Sequence, residues 1–152
     1  MKVERSALVG YSAAQMYELV RDVEAYPEFL SWCTHAEVHA EDDELQHATL
    51  TVSVAGIEQR FSTVNRLEPG RRLGLALEQG PFRSLSGEWR FQQLGEAGSK
   101  ILLELEFDFG PGLISSAFQS GFKHIADRLV QDFCRRAEAI YGRAGAGGPD
   151  GR

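Results

Sequence analysis

From Ile57 to Tyr141 the chain alternates with a period of two and then changes to a period near 3.6. Four segments carry the alternation: Ile57, Phe61 and Thr63; Leu73, Leu75 and Leu77; Leu85, Trp89 and Phe91; and Ile101, Leu103, Leu105, Phe107 and Phe109. Residues two apart share one face of a strand, and Glu58, Arg60, Glu88, Arg90, Glu104, Glu106 and Asp108 fall on the other. The pattern predicts a sheet with one apolar, aromatic-rich face and one solvated face. After Pro111-Gly112, a stripe of Leu113, Ile114, Ala117, Phe118, Phe122, Ile125, Leu129, Phe133, Ala137 and Ile140 predicts an amphipathic helix. About thirty residues at 1.5 Å each would run roughly 45 Å, enough to cross a whole sheet. A curved sheet closed by such a helix encloses a space lined with bulky apolar side chains. The pattern therefore points to an apolar small-molecule cavity.

The N-terminal half completes the order. Val3 to Tyr11 reads as a strand, and Ser12-Ala13-Ala14-Gln15 as a capping box that opens a helix carrying Met16, Leu19, Val20 and Val23 inward. Pro27 suggests a second short helix after a break near Glu24. Thr34–Ala40 and Ala48–Val54 read as a hairpin around Glu41-Asp42-Asp43-Glu44. Gly56, Glu68-Pro69-Gly70, Gln79-Gly80-Pro81 and Gly95-Glu96-Ala97-Gly98 punctuate the later strands. The expectation is one domain over residues 1–141 and a disordered Gly-rich tail over 142–152.

Composition changes this picture little. At 152 residues, 43% hydrophobic and 25% charged, the chain suits one globular domain. A net charge of −6 disfavours general attraction to phosphate backbones or anionic membranes, though it leaves room for a local basic patch. Neither DNA binding nor stable membrane insertion is expected. Cys33 and Cys134 form no spacing motif, and Met1–Gly10 lacks the apolar core of a secretory segment. Both are expected to be reduced and buried in a cytoplasmic protein, which is expected to be a monomer.

Candidate chemistry is sparse. His35, Glu37 and His39 share a strand face, with His47 near the hairpin partner, but that face is the solvated one and no metal is expected. Neither cysteine has a His–Asp pattern to activate it. His124, at the edge of the apolar stripe, reads as surface. The strand carboxylates fall on the outer parity, which leaves Gln59, Thr63 and Asn65 as inward polar groups, with Arg5 joining them if the first strand keeps register. These can hydrogen-bond a carbonyl but are poor acid–base catalysts, so no catalytic residue is assigned. Arg60, Arg66, Arg71, Arg72, Arg83 and Arg90 cluster in sequence, and Arg60, Arg66 and Arg90 share the outer parity. That face reads either as ordinary solvated surface or as a docking face for RNA or a ribosomal protein.

Several strings carry a resemblance: Tyr11-Ser12-Ala13, Gln15 to Val20, Asp22-Val23-Glu24-Ala25-Tyr26-Pro27-Glu28-Phe29-Leu30, Trp32-Cys33-Thr34, Phe61-Ser62-Thr63 with Asn65, and Gly80-Pro81-Phe82-Arg83 leading to Gly87, Trp89 and Phe91. In this order they resemble the START-like helix-grip superfamily, and within it the coenzyme-Q-binding START family with its ribosome-association toxin subfamily. The resemblance implies an α+β helix-grip fold: a curved antiparallel seven-stranded sheet around a long C-terminal helix, with two short helices between the first two strands. It implies a cavity formed by Phe29, Trp32, Phe61, Thr63, Asn65, Leu75, Leu77, Phe82, Trp89, Phe91, Leu105, Phe107, Phe118, Phe122 and Ile125. Gly80-Pro81 would aim Phe82 toward its mouth, and Gly87 would open room or admit the helix. The first function implied is non-enzymatic carriage of a hydrophobic ligand, ubiquinone or another isoprenoid lipid, in support of respiration, with no cofactor required. The second is binding to the large ribosomal subunit, which blocks subunit association. A polyketide cyclase or dehydratase activity is a minor third.

Overall fold

The structure is a computed structural model that describes residues 1–112 and 114–142. Strand β1 (Lys2–Val9) leads into helix α1 (Ala13–Arg21) and a 3₁₀ segment (Val23–Glu28). Strands β2 (Cys33–Glu41), β3 (Leu45–Val54), β4 (Ile57–Glu68), β5 (Arg72–Gln79), β6 (Ser84–Leu94) and β7 (Gly98–Asp108) follow, and helix α2 (Ser116–Tyr141) ends the fold. The expected tail lies outside the described residues from 143 on.

Local chemistry sets the boundaries. The Ser12 hydroxyl accepts from Gln15 N at 3.0 Å while Gln15 Oε1 accepts from Ser12 N at 2.9 Å, which is the reciprocal capping box. Tyr26 Oη donates to the Val20 carbonyl at 2.5 Å and ties the 3₁₀ segment back to α1. At the β2–β3 turn, Asp42 Oδ1 accepts from the amides of Glu44 and Leu45, each at 2.8 Å. Ala55 and Gly56 turn β3 into β4 with φ of 54° and 76°, the left-handed pair that a two-residue hairpin demands.

All seven strands are antiparallel, in the order β1-β7-β6-β5-β4-β3-β2, so the first strand pairs with the last. Bulges in β2 and a register shift between β4 and β5 bend the sheet. Gly87 contributes too: a Cβ there would lie 2.3 Å from the Glu104 carbonyl oxygen and 3.0 Å from Leu105 Cα. Of the two expected roles, opening room or admitting the helix, the room it opens is taken by the neighbouring strand β7.

Helix α2 lies across the concave face and buries Phe118, Phe122, Ile125, Ala126, Val130, Phe133 and Ala137. It starts three residues later than the stripe suggested, because Ser115 is its N-cap and accepts from Phe118 N at 3.2 Å. Ala117 and Ile140, expected to face inward, are exposed, and Ala126 and Val130 take inward positions instead. A Cβ on Gly121 would sit 2.0 Å from Val54 Cγ1, so glycine lets α2 touch the end of β3.

Candidate functional site

Between the concave face and α2 lies a cavity of about 100 Å³. The first cover is Val23 and Tyr26 of the 3₁₀ segment and Trp32 just beyond it. Ala48, Leu50, Phe61, Thr63, Asn65, Leu73, Leu75, Leu85, Trp89, Leu103 and Leu105 form the floor, and Phe122, Ile125, Ala126, Leu129 and Phe133 the roof. The volume matches about three waters at liquid density (~30 Å³ each). Pockets for drug-sized ligands hold about 300–1,000 Å³. At this volume the cavity takes a small apolar group; a substituted ring with a tail requires the roof or the 3₁₀ cover to yield.

One side of the cavity is polar and tied to the surface. Thr63 Oγ1 donates to Asn65 Oδ1 at 2.9 Å, and Asn65 Nδ2 donates to Gln46 Oε1 at 2.8 Å. Gln46 Nε2 then donates to the Arg21 carbonyl and to Glu41 Oε1, both at 2.9 Å. Gln46 is fully buried, and it is the residue supporting the polar side of the cavity that the sequence expectations omit. Its signal was present, since it shares the inward parity of Ala48, Leu50 and Val52. Starting the strand at Ala48 left it out. Because Thr63 gives its proton to Asn65, its hydroxyl oxygen can still accept a hydrogen bond from a ligand. Gln59 is half-buried on β4 and does not line the cavity. Arg5 keeps register, yet its guanidinium pairs with Asp127 at 2.8 Å at the sheet edge.

Of the side chains expected to line the cavity, Trp32, Phe61, Thr63, Asn65, Leu75, Trp89, Leu105, Phe122 and Ile125 come together around it. The others lie elsewhere. Phe82, Phe107 and Phe118 pack with Phe109 and Phe122 into an aromatic cluster beside the cavity, with Phe82 stacked on Phe109 at 4.8 Å. Gly80 approaches Phe61 so closely that a Cβ would lie 2.4 Å from Phe61 Cβ, so the turn feeds Phe82 into this cluster and not to a mouth. Phe91 packs edge-on against Tyr17 at 5.7 Å. Leu77 is half-buried near the same turn. Phe29 lies outside, with the Arg136 guanidinium 4.7 Å above its ring.

Tyr26 is the one ionisable side chain among the described lining residues. Burial pushes its phenol well above the ordinary range, and its proton is held by the Val20 carbonyl. Both cysteines are free thiols; burial pushes Cys33 up to about 11 and also raises Cys134. A thiol so shifted stays protonated at neutral pH and is a weak nucleophile. His39 Nε2 lies 2.6 Å from Thr49 Oγ1, and His47 Nδ1 lies 3.7 Å from Glu78. No group of three His, Cys, Asp or Glu among the described residues is placed to hold a metal ion.

The arginines separate on the outer face. Arg60 borders a hollow with His39, His47 and Glu78, apart from Arg66 and Arg90. Arg66 and Arg72 line one hollow, and Arg71, Arg72, Arg90 and Lys100 line an adjoining groove of about 390 Å³ with Glu68, Gln92 and Leu102. Glu88 accepts from both Arg72 and Arg90. Strand pairing explains the cluster, because Arg72 faces Arg90 across β5 and β6 and Lys100 faces Gln92 across β6 and β7. Arg60, Arg66 and Arg90, expected to share one face, thus do not form one contiguous patch; Arg66, Arg71, Arg72, Arg90 and Lys100 line two adjoining hollows apart from Arg60.

The family described as polyketide cyclase / dehydrase and lipid transport matches residues 9–134. The chain belongs to this family. Its sheet and long C-terminal helix form the START-like helix-grip fold. Among START-like structures, the Zhui aromatase/cyclase from Streptomyces sp. R1128 superposes with a TM-score of 0.81 at 20% identity, covering 95% of this chain and 97% of that one. Among sequences, the ribosome association toxin RatA of Pseudomonas aeruginosa is 43% identical over 140 residues, 92% of this chain and 97% of its own length. A mitochondrial coenzyme Q-binding protein COQ10 homolog B from Xenopus laevis is 27% identical over 148 residues, 94% of this chain and 60% of that protein. No helix among the described residues is long and apolar enough to cross a membrane.

Proposed function

We propose that this START-like protein associates with the ribosome through the basic groove on its outer face. Its cavity is then a second, separate site for a hydrophobic ligand. The similarity to ribosome association toxins, which runs nearly end to end in both chains, carries the reading. The groove supports it. A chain of net charge −6 concentrates Arg71, Arg72, Arg90 and Lys100 around one depression, where a phosphate backbone would displace counterions. This order reverses the one expected from sequence, which put ligand carriage first. Among the described residues the cavity is lined by no carboxylate, histidine or cysteine, and its one ionisable group, Tyr26, is held protonated by burial with its hydroxyl bonded to the Val20 carbonyl, which favours a non-enzymatic role.

The cavity supports the second reading on its own. A quinone or similar ring would present a carbonyl to the second amide N–H of Asn65, with its tail under α2. At about 100 Å³ the space accepts such a ligand only after opening. The ribosome reading is tested by co-sedimentation of the purified protein with ribosomal subunits across a salt series. Three or more phosphate contacts should weaken binding by roughly tenfold or more between about 50 and 200 mM salt. Association that ignores salt, or none at the lowest salt, contradicts docking through this groove.

A further inference from the structure

The cavity shares two wall residues, Trp32 and Ile125, with an outer groove of about 510 Å³. That groove runs between the Phe29–Trp32 segment, the end of β3 at Ser53 and Val54, and α2 from Gly121 to Arg135. Its inner part is apolar. Its rim carries His124, Arg128, Asp132 and Arg135, so the arginines outnumber the carboxylate. Arg128 and Arg135 both act on Asp132 and draw its carboxyl down, while burial lifts it further than they lower it. Asp132 is therefore a poorly solvated counterion, and it leaves the rim with an uncompensated positive charge. Trp32 lines both spaces, and its indole N–H is buried and has no hydrogen-bond partner among the described residues. An unpaired buried donor costs free energy that an acceptor at the gate would recover.

We infer that this groove is the entrance to the cavity and a head-group site for a single-chain amphiphile bearing a carboxylate. The head lies between Arg128 and Arg135, with an oxygen available to Trp32 Nε1–H. The hydrocarbon chain passes between Trp32 and Ile125 into the cavity. This geometry answers the volume problem: the inner space alone is too small for such a molecule, and the inner and outer spaces, joined where Trp32 and Ile125 part, would not be. It also gives Gly121 a role, because its contact with Val54 sets how close α2 stands to β3 at the entrance. The inference rests on the cavity being a ligand site and is independent of ribosome docking.

Decanoate and the uncharged 1-decanol provide the test, titrated into the full chain below micelle-forming concentrations. Both tryptophans line the cavity, so intrinsic fluorescence is the readout. The wild-type protein should bind decanoate more tightly than decanol. Arg128→Glu/Arg135→Glu should weaken decanoate by about tenfold, as expected for reversing two partly exposed charges, and leave decanol unchanged. Asp132→Asn, which keeps the shape and removes the negative charge, should tighten decanoate and not decanol. If both molecules bind and neither variant discriminates between them, the head-group site is overturned while the cavity survives as a ligand site. If neither molecule binds the wild-type protein, the inference and the ligand reading of the cavity fall together.

Discussion

Asn65 connects the cavity to the rest of the protein through one amide group. Its carbonyl accepts from Thr63 and its NH₂ donates to Gln46, which is anchored on Arg21 and Glu41. Asn65→Leu would strand the buried Gln46 oxygen, and an unsatisfied buried polar group costs about 1–3 kcal/mol. Chemical denaturation should show a loss of that order, and a change under about 0.5 kcal/mol would show that the chain of hydrogen bonds contributes little. Cys33 offers a test at the same scale. Its thiol is raised to about 11, so the folded state holds the proton more tightly than the unfolded one. The stability tied to that group is complete below the unfolded value near 9 and is lost as pH rises toward about 11. Denaturation at a series of alkaline pH values should therefore fall more steeply for wild type than for Cys33→Ala. Parallel slopes would mean that Cys33 stays solvated.

The β3–β4 hairpin is visible in the sequence, whereas the approach of α2 to β3 appears only in the structure. Gly56 marked the turn, but alternation alone could not reveal that Ala55 also has positive φ. A non-glycine residue there is strained by roughly 1–2 kcal/mol, less for Asn than for Ala. Ala55→Asn should raise the unfolding midpoint, worth roughly 0.5–1 kcal/mol, and a lowered midpoint would show that the turn has another conformation. Gly121→Ala separates two opposed effects. Helix propensity favours alanine by about 1 kcal/mol, whereas its methyl would collide with the stiff, β-branched Val54. The collision should win, giving net destabilisation that Gly121→Ala/Val54→Ala relieves. The strand faces and the capping box were legible because alternation and Ser-x-x-Gln reflect local physics. The start of α2 was not, because Leu113 and Ile114 extend the apolar stripe ahead of the Ser115 cap. The routing of Phe82 into the aromatic cluster depends on Gly80 meeting Phe61 across strands, a contact that no local pattern encodes.

The whole molecule keeps its two candidate sites on opposite faces of one sheet. The cavity uses the inward parity of β3 to β7, and the basic groove uses Arg72, Arg90 and Lys100 on the outward parity of β5 to β7. Changes on one face should leave the other intact. Which side chains share a parity was legible in the sequence. Which arginines become neighbours was not, since that depends on register: Arg72 meets Arg90 through strand pairing, while Arg60 lies several residues away along β4. The most direct measurement is co-sedimentation of wild type, Arg71→Glu/Lys100→Glu and Arg60→Glu with ribosomal subunits at low salt, with folding confirmed by circular dichroism. Docking through the groove predicts that the double reversal leaves the subunit fractions while Arg60→Glu stays with them. Equal retention of all three proteins, or selective loss of Arg60→Glu, would contradict it.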